Sequence, residues 1–240
     1  MISKNEIKYI QSLFQKKNRD THGQFIAEAV KLVDELLLSD LFIQKIYATD
    51  EWVKSHPSVS DVVLVESFEL EKISSLVTPN QVLAIVNKNI PQHEPLESGY
   101  ITLVLDGIQD PGNFGTIIRI ADWFGITQIV AGNDTADLYN SKTVQATMGS
   151  ICRVNVWFKE LSSWLPNVKL PVYGATLDGH DIYQVKRFSE GYIVIGNESK
   201  GIRQNIMPFI EHPVTIPAKG RAESLNAAVA TGIILSHLVK

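Results

Sequence analysis

Cysteine is almost absent from this sequence, since Cys152 is the only one among 240 residues. One cysteine cannot form a disulfide within the chain and leaves no set of thiolates for a metal, which is typical of proteins in a reducing cytosol. The six histidines are scattered and lack the spacing of metal ligands. We therefore expect neither a disulfide framework nor a catalytic metal.

Long apolar runs are also missing. No stretch approaches the ~20 consecutive apolar residues of a transmembrane helix, and the first residues lack the basic-then-apolar pattern of a secretory signal. The content of 45% hydrophobic and 20% charged residues is that of ordinary globular domains. We therefore expect a cytoplasmic protein without membrane contact, long enough for two domains.

The sequence has no overall excess of basic residues, because its formal net charge is −4. An acidic chain is an unusual partner for nucleic acid, whose phosphates draw on lysine and arginine. Positive charge is nevertheless concentrated in the first nineteen residues, which hold one acid, Glu6, and the bases Lys4, Lys8, Lys16, Lys17 and Arg19. This cluster permits phosphate binding, although a solvated helix face would have the same composition.

Residues 1–90 alternate between helical and extended patterns, which predicts a small α/β domain. The predicted elements are helices at 6–14, 25–38 and 67–76 and strands at 43–48, 62–65 and 81–86. Residues 91–99 contain two prolines and no periodicity, and they are interpreted as a linker.

Residues 100–240 show a bolder alternation of strands and helices. Strands are predicted at 101–105, 128–131, 153–157, 172–175, 192–196 and 214–216. Continuous apolar strands are typical of a parallel sheet that is covered on both faces. We expect a second, larger α/β domain, with ligands bound beyond the carboxyl ends of its strands.

The first conspicuous loop at a predicted strand end is Asp110-Pro-Gly-Asn-Phe-Gly, which leads into a helix containing Arg119. Asn113 could simply cap that helix, and Arg119 could be a surface cation. A Pro-Gly-Asn-Phe-Gly turn directly after a buried strand favours a functional role.

The second loop is Gly196-Asn-Glu-Ser-Lys-Gly. It lacks the Lys-Ser/Thr pair that would follow the second glycine of a phosphate-binding loop, and no Gly-x-Gly-x-x-Gly occurs in the chain, which excludes the usual dinucleotide fingerprint. Glu198 could orient a hydroxyl or an amine, or could be an acid favoured at a helix N-terminus.

The third loop, from Pro217 to Asn226, runs into an apolar C-terminal helix whose residues Val229, Ile234 and Leu238 demand burial. Ser224 could be the N-cap of this helix and Asn226 a first-turn residue. A nucleophilic role for Ser224 is poorly supported, because no Gly-x-Ser-x-Gly turn is present. The helix must be docked, and the loop before it held in place.

Taken in order, these loops resemble the three motifs of the SpoU/TrmH family, RNA ribose 2′-O-methyltransferases of the SPOUT class. The matching segments are Asp110-Pro-Gly-Asn-Phe-Gly-Thr-Ile-Ile-Arg, Ile195-Gly-Asn-Glu-Ser-Lys-Gly and Ile216-Pro-Ala-Lys-Gly-Arg-Ala-Glu-Ser-Leu-Asn-Ala-Ala-Val-Ala. Residues 1–90 resemble, less specifically, the family's substrate-binding domain, which is similar to RNA-binding ribosomal proteins.

The resemblance implies a C-terminal trefoil knot, a homodimer with the active site at its interface, and S-adenosylmethionine as the cofactor. Carried onto this sequence, the cofactor-binding residues are Thr176, Gly196, Ile216, Leu225 and Asn226. Two positions depart from the common family pattern: Ala29, where glycine is usual, and Ala218, where methionine is common.

The resemblance also implies the catalytic set Asn113, Arg119, Glu198, Ser224 and Asn226, and RNA contacts from Lys16, Lys17, Arg19 and Arg119. We expect methyl transfer to a ribose 2′-hydroxyl in structured RNA, either ribosomal RNA, which the appended N-terminal domain favours, or transfer RNA. Because arginine is a reluctant base, we expect Arg119 to bind phosphate and stabilise negative charge. The alternative is a non-catalytic RNA-binding protein that retains the fold, but such a protein has no need for all five polar residues.

Overall fold

A computed structural model describes residues 2–240 of the chain. They form nine α-helices: α1 (Lys4–Ser12), α2 (Lys16–His22), α3 (Val30–Leu37), α4 (Asp50–Ser55), α5 (Ser67–Ile73), α6 (Pro111–Trp123), α7 (Ser141–Thr147), α8 (Leu161–Trp164) and α9 (Ala227–Leu238). They also form ten strands: β1 (Gln24–Glu28), β2 (Ile43–Ala48), β3 (Val62–Leu64), β4 (Val82–Asn87), β5 (Ile101–Asp106), β6 (Gln128–Gly132), β7 (Asn155–Lys159), β8 (Val172–Asp181), β9 (Gly191–Gly196) and β10 (His212–Thr215). None of these helices is both long and apolar enough to cross a membrane.

The chain divides into two compact units. The first contains Met1–Ile90 and Asp137–Cys152, and the second contains Pro91–Ala136 and Arg153–Lys240. The segment Asp137–Cys152 falls inside the catalytic domain expected from sequence, residues 100–240, yet its contacts are with the N-terminal unit.

The first unit is built on a four-stranded sheet with the order β1-β4-β2-β3. Its strands pair antiparallel except for β2 and β3, which run parallel. Helices α1 and α5 contact each other, and the core nearby contains the fully or almost fully buried side chains of Ile10, Ile26, Tyr47, Leu83 and Ile85. The strand residues of this set share one face of the sheet. The alternate residues of β1 and β4 are buried as well, and helix α3 contacts both strands.

The helix predicted at 25–38 is wrong in its first part, because Gln24–Glu28 is strand β1 and the helix begins only at Val30. Four of the five β1 residues are buried, and the strand pairs with β4 from Gln24↔Asn87 to Glu28↔Leu83. Ala29 separates the two elements with φ 81° and ψ 144°. This region of backbone space is almost restricted to glycine, which explains why glycine is usual at this position and why Ala29 is strained there.

Contacts of Asp137 and Tyr139 help to hold the segment Asp137–Cys152 within the first unit. The Arg19 guanidinium forms an ion pair with Asp137. The Tyr139 ring packs on Phe25 with ring centroids 4.7 Å apart, and its hydroxyl donates to the Asn89 carbonyl at 2.6 Å. Burial of this ring raises the pKa of the Tyr139 hydroxyl.

The second unit contains a six-stranded sheet with the order β10-β8-β9-β5-β6-β7, in which every neighbouring pair runs parallel. All six predicted strands are present, and the predicted α/β class with a parallel sheet is confirmed. The central strands β5 and β9 are buried along almost their whole length, because helices cover both faces of such sheets. Their carboxyl ends, Asp106 and Gly196, lie side by side.

The C-terminal helix α9 is docked, as its apolar sequence predicts. It contacts α6, and Ile234, Leu235 and Leu238 are buried. The chain end is held by backbone hydrogen bonds from the Phe188 N–H to the Leu238 carbonyl at 2.8 Å and from the Lys240 N–H to the Phe188 carbonyl at 3.2 Å. Val229, which was expected to be buried, is 51% exposed instead.

Candidate active site

Asn113 projects from the start of helix α6, directly beyond the carboxyl end of β5. The helix is capped by Asp110, whose side chain accepts from the Asn113 N–H at 2.8 Å. Asn113 is therefore not the cap, the simpler explanation considered for it. Capping by Asp110 leaves both polar atoms of the Asn113 side chain available to other partners.

One chain of hydrogen bonds connects the three predicted loops. Asn113 Nδ2 donates to Glu198 Oε1 at 2.6 Å, and Asn226 Nδ2 donates to Asn113 Oδ1 at 2.9 Å. Asn226 Oδ1 in turn accepts from the backbone N–H groups of Ala228 and Val229 at 3.0 and 3.2 Å. Asn226, and not Ser224, is thus the N-cap of α9, which corrects the alternative roles considered for these two residues.

All dipoles of this chain point the same way. It starts at the N-terminus of α9, where the helix dipole is positive, and ends on the Glu198 carboxylate. Hydrogen bonds aligned in this way polarise one another, so each strengthens the next. The arrangement holds Asn113 and Asn226 in one orientation each and leaves the second carboxylate oxygen of Glu198 free to face a ligand.

Arg119 and Ser224 belong to the same loops and helices but not to this chain of hydrogen bonds. Both are exposed, and neither side chain forms a hydrogen bond or ion pair within residues 2–240. An unpaired guanidinium is a ready partner for a phosphate or a developing oxyanion. The structure therefore brings together three of the five predicted catalytic residues and leaves these two open to a ligand.

The loop that carries Glu198 is tightly folded. Backbone hydrogen bonds between Asn197 and Gly201, at 3.1 and 2.9 Å, close it. A Cβ added to Gly196 would lie 2.2 Å from the Gly201 carbonyl carbon, so only glycine fits there. The Asn197 side chain anchors the loop by donating to the Gly107 carbonyl at 2.9 Å.

Asp106 and Arg203 form a second anchor that the sequence interpretation did not single out. Asp106, at the end of β5, is 0% exposed; it accepts from Arg203 N at 2.7 Å and from Arg203 Nε at 2.6 Å. Arg203 also contacts Asp134 at 3.3 Å, and the hydrogen bond to Asp106 raises the pKa of its guanidinium. The sequence signal that could have indicated this anchor is Asp106 itself, an acid at the end of the otherwise apolar strand β5. The charge of the Arg203 guanidinium is neutralised by these two acids.

Three of the residues predicted to bind the cofactor lie on or directly after three adjacent strands. Gly196 is the last residue of β9, and Ile216 directly follows β10. Contrary to the prediction, Thr176 does not end its strand, because β8 continues to Asp181; it lies two residues beyond Gly174, the last β8 residue paired with β9. Thr176 Oγ1 is buried without a hydrogen-bond partner among residues 2–240. An orphaned buried hydroxyl costs free energy unless a ligand pairs with it. This atom fits a polar ligand at the sheet edge.

The loop before α9 is also open to a ligand. Within the described part of the chain, residues 218–225 form no hydrogen bonds, and Leu225 is 45% exposed. Free backbone groups beside an exposed leucine suit a ligand that has both polar and apolar parts. No group of three or more potential metal ligands occurs among residues 2–240.

The basic residues predicted to contact RNA differ in their availability. Lys16 and Lys17 are exposed, and their ammonium groups form no hydrogen bond or salt bridge within residues 2–240. Arg19 is 3% exposed; its guanidinium donates to the carbonyls of Leu13 and Phe14, both at 2.8 Å, and pairs with Asp137. It anchors the first unit internally and is not presented to RNA in this conformation.

The parallel sheet, the three linked loops and the docked C-terminal helix together define a methyltransferase of the SPOUT class, and comparison with known proteins identifies the family. Residues 100–236 match the SpoU rRNA Methylase family, and residues 4–84 match the MRM3-like substrate binding domain. The chain belongs to the SpoU rRNA methylase family. The predicted family and enzyme class are confirmed.

Individual relatives cover nearly the whole chain. The Bacillus subtilis 23S rRNA (guanosine(2553)-2′-O)-methyltransferase RlmP is 32% identical over 98% of this chain and 97% of its own length. A TrmH-family protein from Porphyromonas gingivalis has a similar structure, with 37% identity, a TM-score of 0.87 and coverage of 100% of this chain and 98% of that chain. An AdoMet-bound rRNA methyltransferase from Sinorhizobium meliloti has 30% identity, a TM-score of 0.85 and coverage of 99% and 95%.

Proposed function

We propose that this protein transfers a methyl group from S-adenosylmethionine to a ribose 2′-hydroxyl of 23S ribosomal RNA. The observation that carries the proposal is the chain of hydrogen bonds from Glu198 through Asn113 to Asn226, which joins the three motif loops at the carboxyl ends of the sheet. The relative from Bacillus subtilis, named for this reaction on 23S rRNA, supports the substrate. A protein that only bound RNA would have no need of this linked set.

S-adenosylmethionine supplies an electrophilic methyl group on a sulfonium centre. The backbones of Gly196, Ile216 and Leu225 and the capping residue Asn226 would hold it, with the unpartnered Thr176 hydroxyl as a further donor. The name of the Sinorhizobium meliloti relative, which includes bound AdoMet, supports this assignment.

The protein's own contribution to the chemistry is to bind the ribose and to stabilise charge. A ribose hydroxyl is a weak acid, so negative charge develops on its oxygen during attack. The free guanidinium of Arg119 binds the neighbouring phosphate and stabilises this charge. Glu198, through its second oxygen, and Ser224 orient the hydroxyl, while Asn113 and Asn226 keep the three loops in register.

The RNA is held partly by the N-terminal unit. Lys16 and Lys17 present free ammonium groups, and the matching MRM3-like substrate binding domain supports an RNA-binding role for this unit. Arg119 adds a third cation. With only a few phosphate contacts and an acidic chain, RNA affinity should depend moderately on salt.

The protein acts in the cytoplasm as a homodimer with a threaded C-terminus. The dimer is supported by exposed apolar residues on the contacting helices α6 and α9, where Trp123 is 84% and Val229 51% exposed. The knot is supported by the docked tail, whose end is hydrogen-bonded to Phe188. Light scattering of the purified protein tests the dimer, and a monomer at micromolar concentration would contradict it.

The decisive experiment maps 2′-O-methyl groups in total RNA from cells with and without the protein. We expect one ribose position in 23S rRNA to lose its methyl group when the protein is removed. An unchanged map across ribosomal RNA would contradict the enzymatic function on this substrate. Calorimetry with S-adenosylmethionine distinguishes the proposed enzyme from the alternative, a non-catalytic RNA-binding protein. The alternative would release no heat when S-adenosylmethionine is added.

A further inference from the structure

A small cavity of about 320 Å³ lies on the first unit, where helix α1 meets one end of the four-stranded sheet. The starts of β1 and β2 and the end of β4 meet at this end, because β4 is antiparallel to both neighbours. The lining includes Tyr9 from α1, Gln24 from β1, Gln44 and Lys45 from β2, and Ile85 from β4. None of the catalytic candidates belongs to it.

The polar lining of this cavity is mostly held in place by internal contacts. Glu6 pairs with Lys45 Nζ at 2.6 Å, so the cavity carries no net charge from these two groups. The Tyr9 hydroxyl donates to the Gln24 side-chain carbonyl, and Gln24 Nε2 donates to Asn87 Oδ1 at 3.1 Å. Side chains fixed in this way form a preorganised wall.

Gln44 is the exception. It lies at a β-bulge, where the pairing of β2 with β4 shifts register between Ile43 and Lys45. Bulges re-aim side chains and occur next to binding sites. The Gln44 side chain is exposed, lines the cavity and forms no hydrogen bond within residues 2–240. It therefore presents an unused donor and an unused acceptor side by side.

We propose that this cavity binds an unpaired base of the substrate RNA, a proposal that rests on the proposed function. A neutral cavity is a poor binding site for phosphate. Proteins stack unpaired bases on aromatic side chains and read base edges with hydrogen-bonding groups, and this cavity offers the Tyr9 ring and the free Gln44 amide. The free amide of Gln44 pairs with a base edge, and the remaining ammonium hydrogens of Lys45 favour a ring carbonyl. Guanine and uracil, which place a carbonyl beside an N–H, satisfy both groups.

The affinity of the full-length protein for 23S rRNA transcribed in vitro tests the role of Gln44. The variant Gln44→Ala should weaken binding about tenfold and should leave the dependence of the affinity on salt unchanged, because no charge is removed. Lys17→Ala should instead reduce the slope of log affinity against log salt concentration by about one. Gln11→Ala is the control, since Gln11 is an exposed glutamine of α1 outside the cavity, although its side chain, unlike that of Gln44, donates to the Lys72 carbonyl at 2.8 Å. Circular dichroism checks that each variant is folded.

Photo-crosslinking gives a second, independent readout. RNA carrying 6-thioguanosine or 4-thiouridine should crosslink to peptides containing Tyr9 or Gln44. If wild-type protein binds and methylates the RNA, but Gln44→Ala behaves like Gln11→Ala and these peptides carry no crosslink, the base site is refuted and the proposed function stands. If wild-type protein binds no ribosomal RNA, both proposals fail.

Discussion

The side-chain amide of Asn113 donates to the Glu198 carboxylate at 2.6 Å, although 85 positions separate the two residues in the chain. The contact joins the loop after β5 to the loop after β9, two strands that lie side by side in the sheet. A hydrogen bond to a charged acceptor is about twice as strong as one between neutral groups. This pair therefore holds the site's geometry before any ligand binds.

Substitutions at Glu198 should separate its charge from its shape. Glu198→Gln keeps an acceptor for Asn113 but loses the charge, and we expect methyl transfer to slow about tenfold. Glu198→Ala leaves the Asn113 amide unpaired and should cost more. Initial rates with radiolabelled methyl donor measure both variants. Equal rates for wild type and Glu198→Ala would refute a role for this contact.

The linked arrangement also predicts non-additivity. Asn113→Ala and Asn226→Ala each interrupt the same chain of hydrogen bonds, so the double variant should be little slower than the worse single variant. Rates of the four proteins form a double-mutant cycle. Additive losses in free energy would show that the two asparagines act independently.

Arg119 should behave as a charge stabiliser. Arg119→Lys keeps the positive charge and should retain measurable activity, whereas Arg119→Ala should lose about 10²–10³-fold. Lys169→Ala, which removes an exposed cation outside the motif loops, is the control. Complete loss in Arg119→Lys, with normal binding of RNA and S-adenosylmethionine, would instead indicate proton transfer by the guanidinium.

The buried carboxylate of Asp106 should contribute to the stability of the protein. Asp106→Asn removes the charge of a side chain that is 0% exposed, whereas its partner Arg203 is 37% exposed and keeps Asp134, so we expect about 2 kcal/mol of lost stability. Asp134 touches the same guanidinium at 3.3 Å but is 45% exposed, so Asp134→Asn should cost less than about 1 kcal/mol. Urea unfolding measures the stability of both variants. Equal losses of stability would contradict the assignment of Asp106 as the main partner of Arg203.

Much of the second unit could be predicted from sequence because its strands are continuous apolar runs. Buried parallel strands need no alternation, and 101–105 and 192–196 agree with β5 and β9 within one residue. The first unit was harder. Residues 25–27 are a short apolar run, and such a run cannot be distinguished by periodicity from the beginning of the helix that follows it.

For the candidate site, too, the sequence indicated the segments involved but not the contacts between them. The sequence indicated which loops matter, because Asn113, Glu198 and Asn226 stand in motifs after strands. It could not show that Asn226 caps α9 or that Asp110 caps α6, since every loop contains several capping residues. The pairing of Asp106 with Arg203, 97 positions apart, depends on strand order, which residue patterns do not specify.

The backbone at Ala29 predicts a stabilising substitution. With φ 81° and ψ 144°, alanine is strained there, and Ala29→Gly should relieve the strain at a smaller entropic cost. We expect the free energy of unfolding to rise by about 1 kcal/mol, which would be measured as a higher urea midpoint. Ala27→Gly, in buried strand β1, is the control and should destabilise. A lower urea midpoint for Ala29→Gly would contradict the strain assigned to Ala29.

The ion pair of Glu6 with Lys45 predicts a pH dependence. The hydrogen bond from Lys45, helped by those from Ser3, lowers the pKa of Glu6 from 4.5 to about 2. A lowered carboxyl pKa gives stability that is fully present above pH 4.5 and lost as the pH falls through 2. Both side chains are more than one third exposed, so solvent screening limits the contribution to less than about 1 kcal/mol.

Glu6→Gln should therefore lower the urea midpoint at pH 6, and its difference from wild type should shrink between pH 4.5 and pH 2. In a Lys45→Met background the same substitution should have a smaller effect, because the main partner of the carboxylate is gone. A constant difference across this pH range would show that the ion pair does not stabilise the wall of the proposed base cavity.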